Sequence, residues 1–159
     1  MIGFYAGSFD PFANGHLSIV KKSSKCFEKV IIGIGENSEK KCRFDKMLMK
    51  QAIEETLKQE NLNNVEVIIY NTLTTKEAKK CGADILIRGL RNGTDYQYEE
   101  NIASLNEIHA SLDTCYFRAG NLGHLSSSII MDLYLHGEDI SSYVPKPINE
   151  ILKIKKEEF

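Results

Sequence analysis

The sequence contains no tryptophan, only three prolines and no apolar run of membrane-spanning length. A transmembrane helix needs about 20 consecutive, mostly apolar residues, so we expect no membrane partner. The stretch Met1–Pro11 is apolar for only a few residues and carries no cationic segment, which argues against a signal peptide. The sequence therefore predicts a soluble, cytoplasmic protein.

An excess of basic residues and a metal-binding pattern are also missing. Twenty Lys and Arg stand against 22 Asp and Glu, a net charge of −2, whereas proteins that coat nucleic acid usually show a basic excess. The four cysteines are scattered without CxxC spacing, so we interpret them as free thiols in a reducing compartment. No cluster of histidine, cysteine and carboxylate has metal-ligand spacing, and we expect neither a nucleic-acid partner nor a built-in metal site.

The length of 159 residues, with 42% hydrophobic residues, predicts one domain over residues 1–159. Short runs rich in isoleucine, valine and tyrosine predict five strands: Ile2–Ala6, Lys29–Ile34, Val65–Tyr70, Asp84–Ile87 and Thr114–Phe117. Segments with helical periodicity separate or follow them: His16–Ser24, Asp45–Leu57, Thr74–Cys81, Asp95–Leu112, Ser126–Tyr134 and Pro147–Lys156. The alternation predicts an α/β fold, a Rossmann-like doubly wound parallel sheet with helices on both faces and its ligand crevice at the carboxyl ends of the strands.

The segment Gly7–His16 joins the first strand to the first helix. Asn14 is a good N-cap candidate, which would place His16 in the first helical turn. Free N–H groups and the positive end of the helix dipole favour an anion there, and a histidine could donate to a phosphate oxygen. The alternative is an ordinary turn with an incidental histidine.

Two arginines three residues apart, Arg88 and Arg91, follow the fully apolar run Ile85–Ile87. Arginine suits bidentate contact with phosphate, and we expect Gly89 to allow a sharp turn and the close approach of a ligand. In the alternative interpretation these are surface arginines bonded to Asp95 or Glu99.

Two further segments each leave two interpretations open. Lys40 and Lys41 follow the second strand and could approach a phosphate or lie in a plain solvated loop. Ser126, Ser127 and Ser128 precede an apolar helix, where they could bind phosphates or simply cap the helix.

Together these motifs resemble the phosphopantetheine adenylyltransferase family of the nucleotidylyltransferase superfamily. GSFDPFANGH is similar to the family's G[ST]FDPxTNGH, IRGLRNGTDYQYE to its IRGLRxxxDFEYE, and the serine triplet to its ISSSxx[KR]. Ala13 replaces the usual threonine, and Met131 stands where the family has a cation.

The resemblance implies transfer of the adenylyl group of ATP to 4′-phosphopantetheine, with Mg²⁺ carried on the ATP, in a homohexamer subject to feedback by coenzyme A. It implies catalytic roles for His16, Lys40 (or the neighbouring Lys41) and Arg88. The implied phosphopantetheine contacts are Ser8, Lys40, Leu73, Thr74, Arg88 and Asn106. The implied ATP contacts are Ser8, Phe9, His16, Gly89, Leu90, Arg91, Glu99, Leu122, Gly123, His124, Leu125, Ser126, Ser127 and Ser128. Asp95 and Tyr98 also match the family and are interpreted as structural.

Two other functions compete with this one. A related enzyme could transfer a nucleotide to nicotinamide mononucleotide or to a phosphorylated alcohol, although the Arg-Gly-Leu-Arg segment argues against it. A flavodoxin-like binding module without turnover is the second, and it would leave the arginine pair without an obvious role.

Overall fold

A five-stranded parallel sheet forms the centre of the molecule. The computed structural model describes residues 1–36, 42–91, 93–123 and 126–157. Within them the strands are β1 (Ile2–Gly7), β2 (Lys29–Gly35), β3 (Val65–Tyr70), β4 (Ile85–Leu90) and β5 (Asp113–Arg118). Their order is β3-β2-β1-β4-β5, and every neighbouring pair is parallel. The predicted doubly wound, Rossmann-like sheet is confirmed.

Helices cover both faces of this sheet. They are α1 (Asn14–Ser23), α2 (Lys46–Gln59), α3 (Thr74–Lys80), α4 (Gly93–Ala110), α5 (Ser127–Leu135) and α6 (Lys146–Glu157). A 3₁₀ turn, Gly120–Leu122, precedes α5. Each predicted helix is present, with ends that differ by a few residues.

Two hydrophobic cores lie on opposite faces of the sheet because successive strand residues point in opposite directions. Tyr5 of β1 joins a large core with side chains from α1, α2, α5 and α6. Its neighbours Phe4 and Ala6 join a smaller core with side chains from α3 and α4. Burial on both faces explains why the strand sequences are almost continuously apolar.

The strand order reverses between β1 and β4. From β1 the chain winds outward through β2 to β3, then returns to the other side of β1 and continues through β4 to β5. The crossover connections therefore diverge above the carboxyl ends of β1 and β4. In open α/β sheets this switch point is the ligand-binding crevice.

The predicted sharp turn at Gly89 is wrong, because β4 continues through it. Gly89 pairs with Phe117 of β5, and the strand ends at Leu90. A Cβ on Gly89 would lie 2.3 Å from Cδ1 of Ile19, so glycine here lets α1 pack closely on β4. The close approach that the structure shows at Gly89 is that of the Ile19 side chain, and the close approach of a ligand stays a prediction.

Helix α4 presents much of its apolar stripe to solvent. The sequence predicts a face shared by Tyr98, Ile102, Leu105 and Ile108. In the structure the side chains of Tyr98, Leu105 and Ile108 are exposed, whereas Ile102 is half-buried. This face is therefore only partly used by the core of the chain.

Candidate active site

A pocket of about 310 Å³ opens above the carboxyl ends of β1 and β4. We call it the main pocket. It brings together twelve of the residues that the sequence predicts for the site: Ser8, Phe9, His16, Arg88, Gly89, Leu90, Arg91, Glu99, Leu122, Gly123, Ser126 and Ser127. Residues from three separated parts of the chain thus meet at the switch point.

The turn from β1 to α1 is built around the buried ring of Phe9. Phe9 has a φ of +46°, a left-handed conformation uncommon for a residue with a side chain. Its ring covers Gly7, where an added Cβ would lie 2.8 Å from the ring. The same ring contacts the His16 imidazole edge-on, with centroids 5.2 Å apart and planes at 88°. Phe9 therefore lines the pocket and also fixes the orientation of the histidine.

The predicted N-cap at Asn14 is wrong, because Ala13 holds that position and Asn14 is the first residue of α1. The Ala13 N–H donates to Nδ1 of His16 over 2.9 Å. In a capping box the side chain of the third helical residue accepts the N–H of the N-cap residue, and the histidine ring has that role here. The Asn14 side chain instead donates to the Ser142 carbonyl over 3.0 Å. The alanine thus contributes to the site through its backbone.

This hydrogen bond determines the tautomer of His16. Since Nδ1 accepts a backbone N–H, the single proton of the neutral ring is on Nε2. Burial, assisted by the nearby charge of Arg91, lowers the pKa of His16 to about 4. At neutral pH the ring is therefore an uncharged donor that lines the main pocket.

Arg88 is held by two groups of the protein and still faces the pocket. Its Nε and Nη2 donate to the two carboxylate oxygens of Glu99, each over 2.6 Å, and Nη1 donates to the Ala6 carbonyl over 3.1 Å. One N–H on each terminal nitrogen is left over from these three bonds. The side chain of Glu99 is only 8% exposed, so the pair is rigid and its charges are compensated.

Arg91 has a similar partner but is more open to solvent. Its Nη2 donates to Oδ1 of Asp95 over 2.8 Å, and this bond is the main cause that lowers the pKa of Asp95. Both arginines therefore do bond acidic neighbours, as the alternative interpretation of the sequence supposed. They do so while lining the main pocket, so the ion pairs position them there.

The serine triplet reaches the pocket only in part. The Ser126 hydroxyl caps α5 by accepting the Ile129 N–H, and the Ser127 hydroxyl donates to the Pro11 carbonyl over 2.9 Å. Ser128 is exposed and does not line the pocket. Ser127 thus ties the start of α5 to the turn that holds His16, whereas Ser126 caps the helix itself.

A second pocket, of about 280 Å³, lies on the opposite face of the sheet. We call it the side pocket. It brings together Leu73, Thr74, Arg88 and Asn106, all predicted from the family resemblance to contact phosphopantetheine. Ala6 and Arg88 line both pockets, so the two cavities adjoin at the switch point.

Sequence reasoning missed the residues that brace the turn from β1 to α1 from the side of α2. The Asp10 carboxylate accepts the N–H groups of Arg43 and Phe44 over 2.8 and 3.1 Å. The buried Lys46 donates to the Ser8 carbonyl over 3.0 Å. Asp10 lies within the motif GSFDPFANGH, so the sequence could have indicated that it has a role in this turn. Nothing in the sequence marks Lys46, which lies 38 residues from its partner.

Some predicted residues fall outside the described part of the chain. They are Lys40, Lys41, His124 and Leu125. Within residues 1–36, 42–91, 93–123 and 126–157, no three His, Cys, Asp or Glu side chains cluster so as to hold a metal ion. No helix among the described residues is both long and apolar enough to cross a membrane.

Comparisons with known proteins agree on the family. The cytidylyltransferase-like family profile matches residues 4–143. The phosphopantetheine adenylyltransferase of Cytophaga hutchinsonii is 40% identical over 149 residues, which cover 92% of this chain and 98% of the relative. The enzyme of the same name from Flavobacterium psychrophilum is 41% identical over 145 residues, covering 91% and 95%.

A solved structure supports the fold independently. A Vibrio parahaemolyticus protein, provisionally named a nicotinate-nucleotide adenylyltransferase, superposes with a TM-score of 0.71 over 96% of this chain and 91% of that one. At 20% sequence identity this likeness concerns the fold alone.

Proposed function

The chain belongs to the phosphopantetheine adenylyltransferase family, and on that premise we propose that it transfers the adenylyl group of ATP to 4′-phosphopantetheine. The products are dephospho-coenzyme A and pyrophosphate. One observation supports this function above the others: two pockets on opposite faces of the sheet adjoin at Arg88. A two-substrate reaction needs such a junction.

ATP occupies the main pocket and the pantetheine arm occupies the side pocket in this proposal. The side pocket has an apolar base that includes Phe4 and Leu86, and Thr74 and Asn106 add polar groups for an amide-containing chain. The phosphate of phosphopantetheine then lies at Arg88, where the two free N–H groups are available for charge-assisted hydrogen bonds.

The reaction needs no nucleophile from the protein. A phosphate oxygen of phosphopantetheine attacks the α-phosphorus of ATP, and a new P–O bond forms. The bond from the α-phosphorus to the bridging oxygen breaks, and its electron pair leaves with pyrophosphate. The protein contributes orientation and stabilisation of charge, the two terms that dominate phosphoryl-type transfer.

His16 stabilises the α-phosphoryl group in this scheme. Its Nε2–H is the donor on the pocket side, because Nδ1 is engaged by the Ala13 N–H. The neutral ring can donate without losing a proton, and a donor fixed before the reaction needs no reorganisation in the transition state. His16 is thus a hydrogen-bond donor rather than a general acid.

The remaining predicted residues act on the phosphates. Lys40, or the adjacent Lys41, joins Arg88 in holding the attacking phosphate, and Ser8 contacts it by hydroxyl or backbone. Arg91 and the start of α5 at Ser127 and Ser128 stabilise the leaving pyrophosphate, since the first N–H groups of a helix lack acceptors within it. Mg²⁺ enters with ATP as part of the substrate. Met131 stands where the family has a cation, so this position adds no positive charge to the phosphate site.

Assembly and location complete the proposal. We propose a cytoplasmic homohexamer with feedback by coenzyme A, on the strength of the family resemblance. Sedimentation velocity checks the assembly directly, and a monomer at micromolar concentration would contradict it.

One assay tests the function against its rivals. The protein is mixed with ATP, Mg²⁺ and 4′-phosphopantetheine, and pyrophosphate release is followed. We expect release only with this combination. Release of pyrophosphate with CTP, or with nicotinamide mononucleotide as acceptor, would favour a related transferase. If no combination releases pyrophosphate, the result favours the binding module.

A further inference from the structure

Tyr5 is a buried polar residue of the main pocket to which the proposed reaction assigns no role. It belongs to β1 and its side chain is on the face of α1, where it lines the main pocket but not the side pocket. The residue is only 4% exposed. Among the described residues, no group makes a hydrogen bond with its hydroxyl, and the hydroxyl is not one of the fully buried oxygens without a partner, so it is open to the main pocket.

Three other tyrosines of the described chain engage their hydroxyls within the protein. The Tyr70 hydroxyl bonds that of Thr74 over 2.8 Å, Tyr116 donates to Glu100 over 3.0 Å, and Tyr134 donates to the Leu152 carbonyl over 2.7 Å. The Tyr5 side chain is buried more deeply than that of Tyr70, the best buried of these three, but its hydroxyl is open to the main pocket. The Tyr5 hydroxyl is therefore available to a molecule that enters the pocket.

The hydroxyl of Tyr5 has a defined place and a defined role as donor. It lies 3.8 Å from the point where a Cβ on Gly89 of the neighbouring strand β4 would be. Phe9 holds the ring edge-on, with centroids 5.3 Å apart. Burial raises the pKa of Tyr5, so the phenol stays protonated and has a proton to donate.

We propose that the Tyr5 hydroxyl donates a hydrogen bond to an oxygen of the bound nucleotide, either a ribose hydroxyl or a phosphate oxygen. This inference rests on the proposed function, which places ATP in the main pocket. Tyr5 becomes a further binding residue of the nucleotide, supplied by the body of β1 rather than by a loop.

Tyr5→Phe tests the proposal because it removes the hydroxyl and keeps the ring. Calorimetric titration with MgATP, without the second substrate, is expected to show about tenfold weaker binding, the equivalent of one hydrogen bond. The affinity for phosphopantetheine and the unfolding temperature should stay unchanged, since the hydroxyl makes no hydrogen bond to any described residue. Tyr134→Phe, which removes a hydroxyl far along the chain from the pocket, serves as the control with unchanged ATP affinity.

The two possible oxygens are separated by nucleotides that lack one ribose hydroxyl. If Tyr5 contacts the ribose, the effect of Tyr5→Phe disappears with 2′-deoxy- or 3′-deoxy-ATP, and if it contacts a phosphate the effect persists with both. Equal ATP affinity of variant and wild type would overturn the proposal. So would equal weakening of both substrates, or a marked loss of stability, because each shows that the hydroxyl serves the fold. A wild-type protein that neither binds ATP nor releases pyrophosphate overturns the proposed function itself, and this inference with it.

Discussion

The main pocket and the side pocket adjoin at one arginine but are built in different ways. The main pocket is formed by contiguous motifs at strand ends, and its walls carry His16, Arg91 and the Arg88–Glu99 pair. The side pocket is largely apolar, and apart from the shared Arg88 its few polar groups come from α3 and α4. In the proposed function this difference corresponds to two tasks: the main pocket holds the reacting phosphates, and the side pocket selects the acceptor molecule.

The largest effect is expected from removing the donor of the main pocket. His16→Ala should lower kcat by about 10²–10³-fold, as the loss of one preorganised transition-state donor does, with smaller changes in KM. Steady-state kinetics at saturating substrates measure it, and circular dichroism checks the fold, since the variant also loses the cap on α1. His109→Ala removes an exposed histidine of α4 and is the control. An unchanged kcat would refute the assigned role.

Arg88 tests the junction of the two pockets. Arg88→Ala alone would leave the buried Glu99 carboxylate unpaired, which typically costs about 3–5 kcal/mol of stability. Combined with Glu99→Gln, the change should instead mainly weaken phosphopantetheine binding, by about 10–100-fold, since charge-assisted hydrogen bonds contribute about 1.5–3 kcal/mol. Titration calorimetry measures this, with Glu99→Gln alone as the control. A double variant that loses ATP affinity and keeps phosphopantetheine affinity would show that Arg88 belongs to the nucleotide side.

Asn106 tests whether the side pocket selects the acceptor. Asn106→Ala should raise KM for phosphopantetheine about 3–10-fold, the effect of one neutral hydrogen bond, and leave KM for ATP unchanged. Asn101→Ala, an exposed asparagine on the same helix, is the matched control. If Asn106→Ala weakens ATP binding equally, the two pockets do not divide the substrates as proposed.

The fold was predictable because its signals are local. Continuous apolar runs and helical periodicity identified each strand and α-helix of the described residues, and the doubly wound sheet followed from their alternation. Gly89 shows where prediction from the local sequence fails. A glycine after an apolar run is typical of a turn, but here it is required by Ile19, which packs against β4 from α1. Such a contact between distant residues leaves no mark on the local sequence.

The site was predictable where it is built from contiguous residues and much less so elsewhere. The turn with His16 and the segment with Arg88 and Arg91 are short motifs, and the structure gathers them in one pocket. Lys46 braces this turn from another helix, and Tyr5 is an ordinary strand residue by sequence. The N-cap at Ala13 was not predicted because alanine has no side chain that could accept a hydrogen bond. The acceptor is the His16 ring, which binds the Ala13 N–H.

The smallest predicted effect concerns how the fold holds His16 neutral. Its pKa is about 4 in the folded protein against an ordinary value of 6.5, so between these values the unfolded chain binds a proton that the native state does not. Stability must therefore fall as the pH is lowered from about 6.5 to about 4. The ring faces an open pocket, so we expect a contribution on the order of 1 kcal/mol, below the roughly 3 kcal/mol of a full shift. Thermal unfolding of the wild type and of His16→Asn, whose side-chain oxygen can still accept the Ala13 N–H, isolates this contribution because both proteins share every carboxylate. Equal pH dependence in the two proteins, or an imidazole that titrates near 6.5 by NMR, would show that the main pocket does not keep this donor neutral by burial.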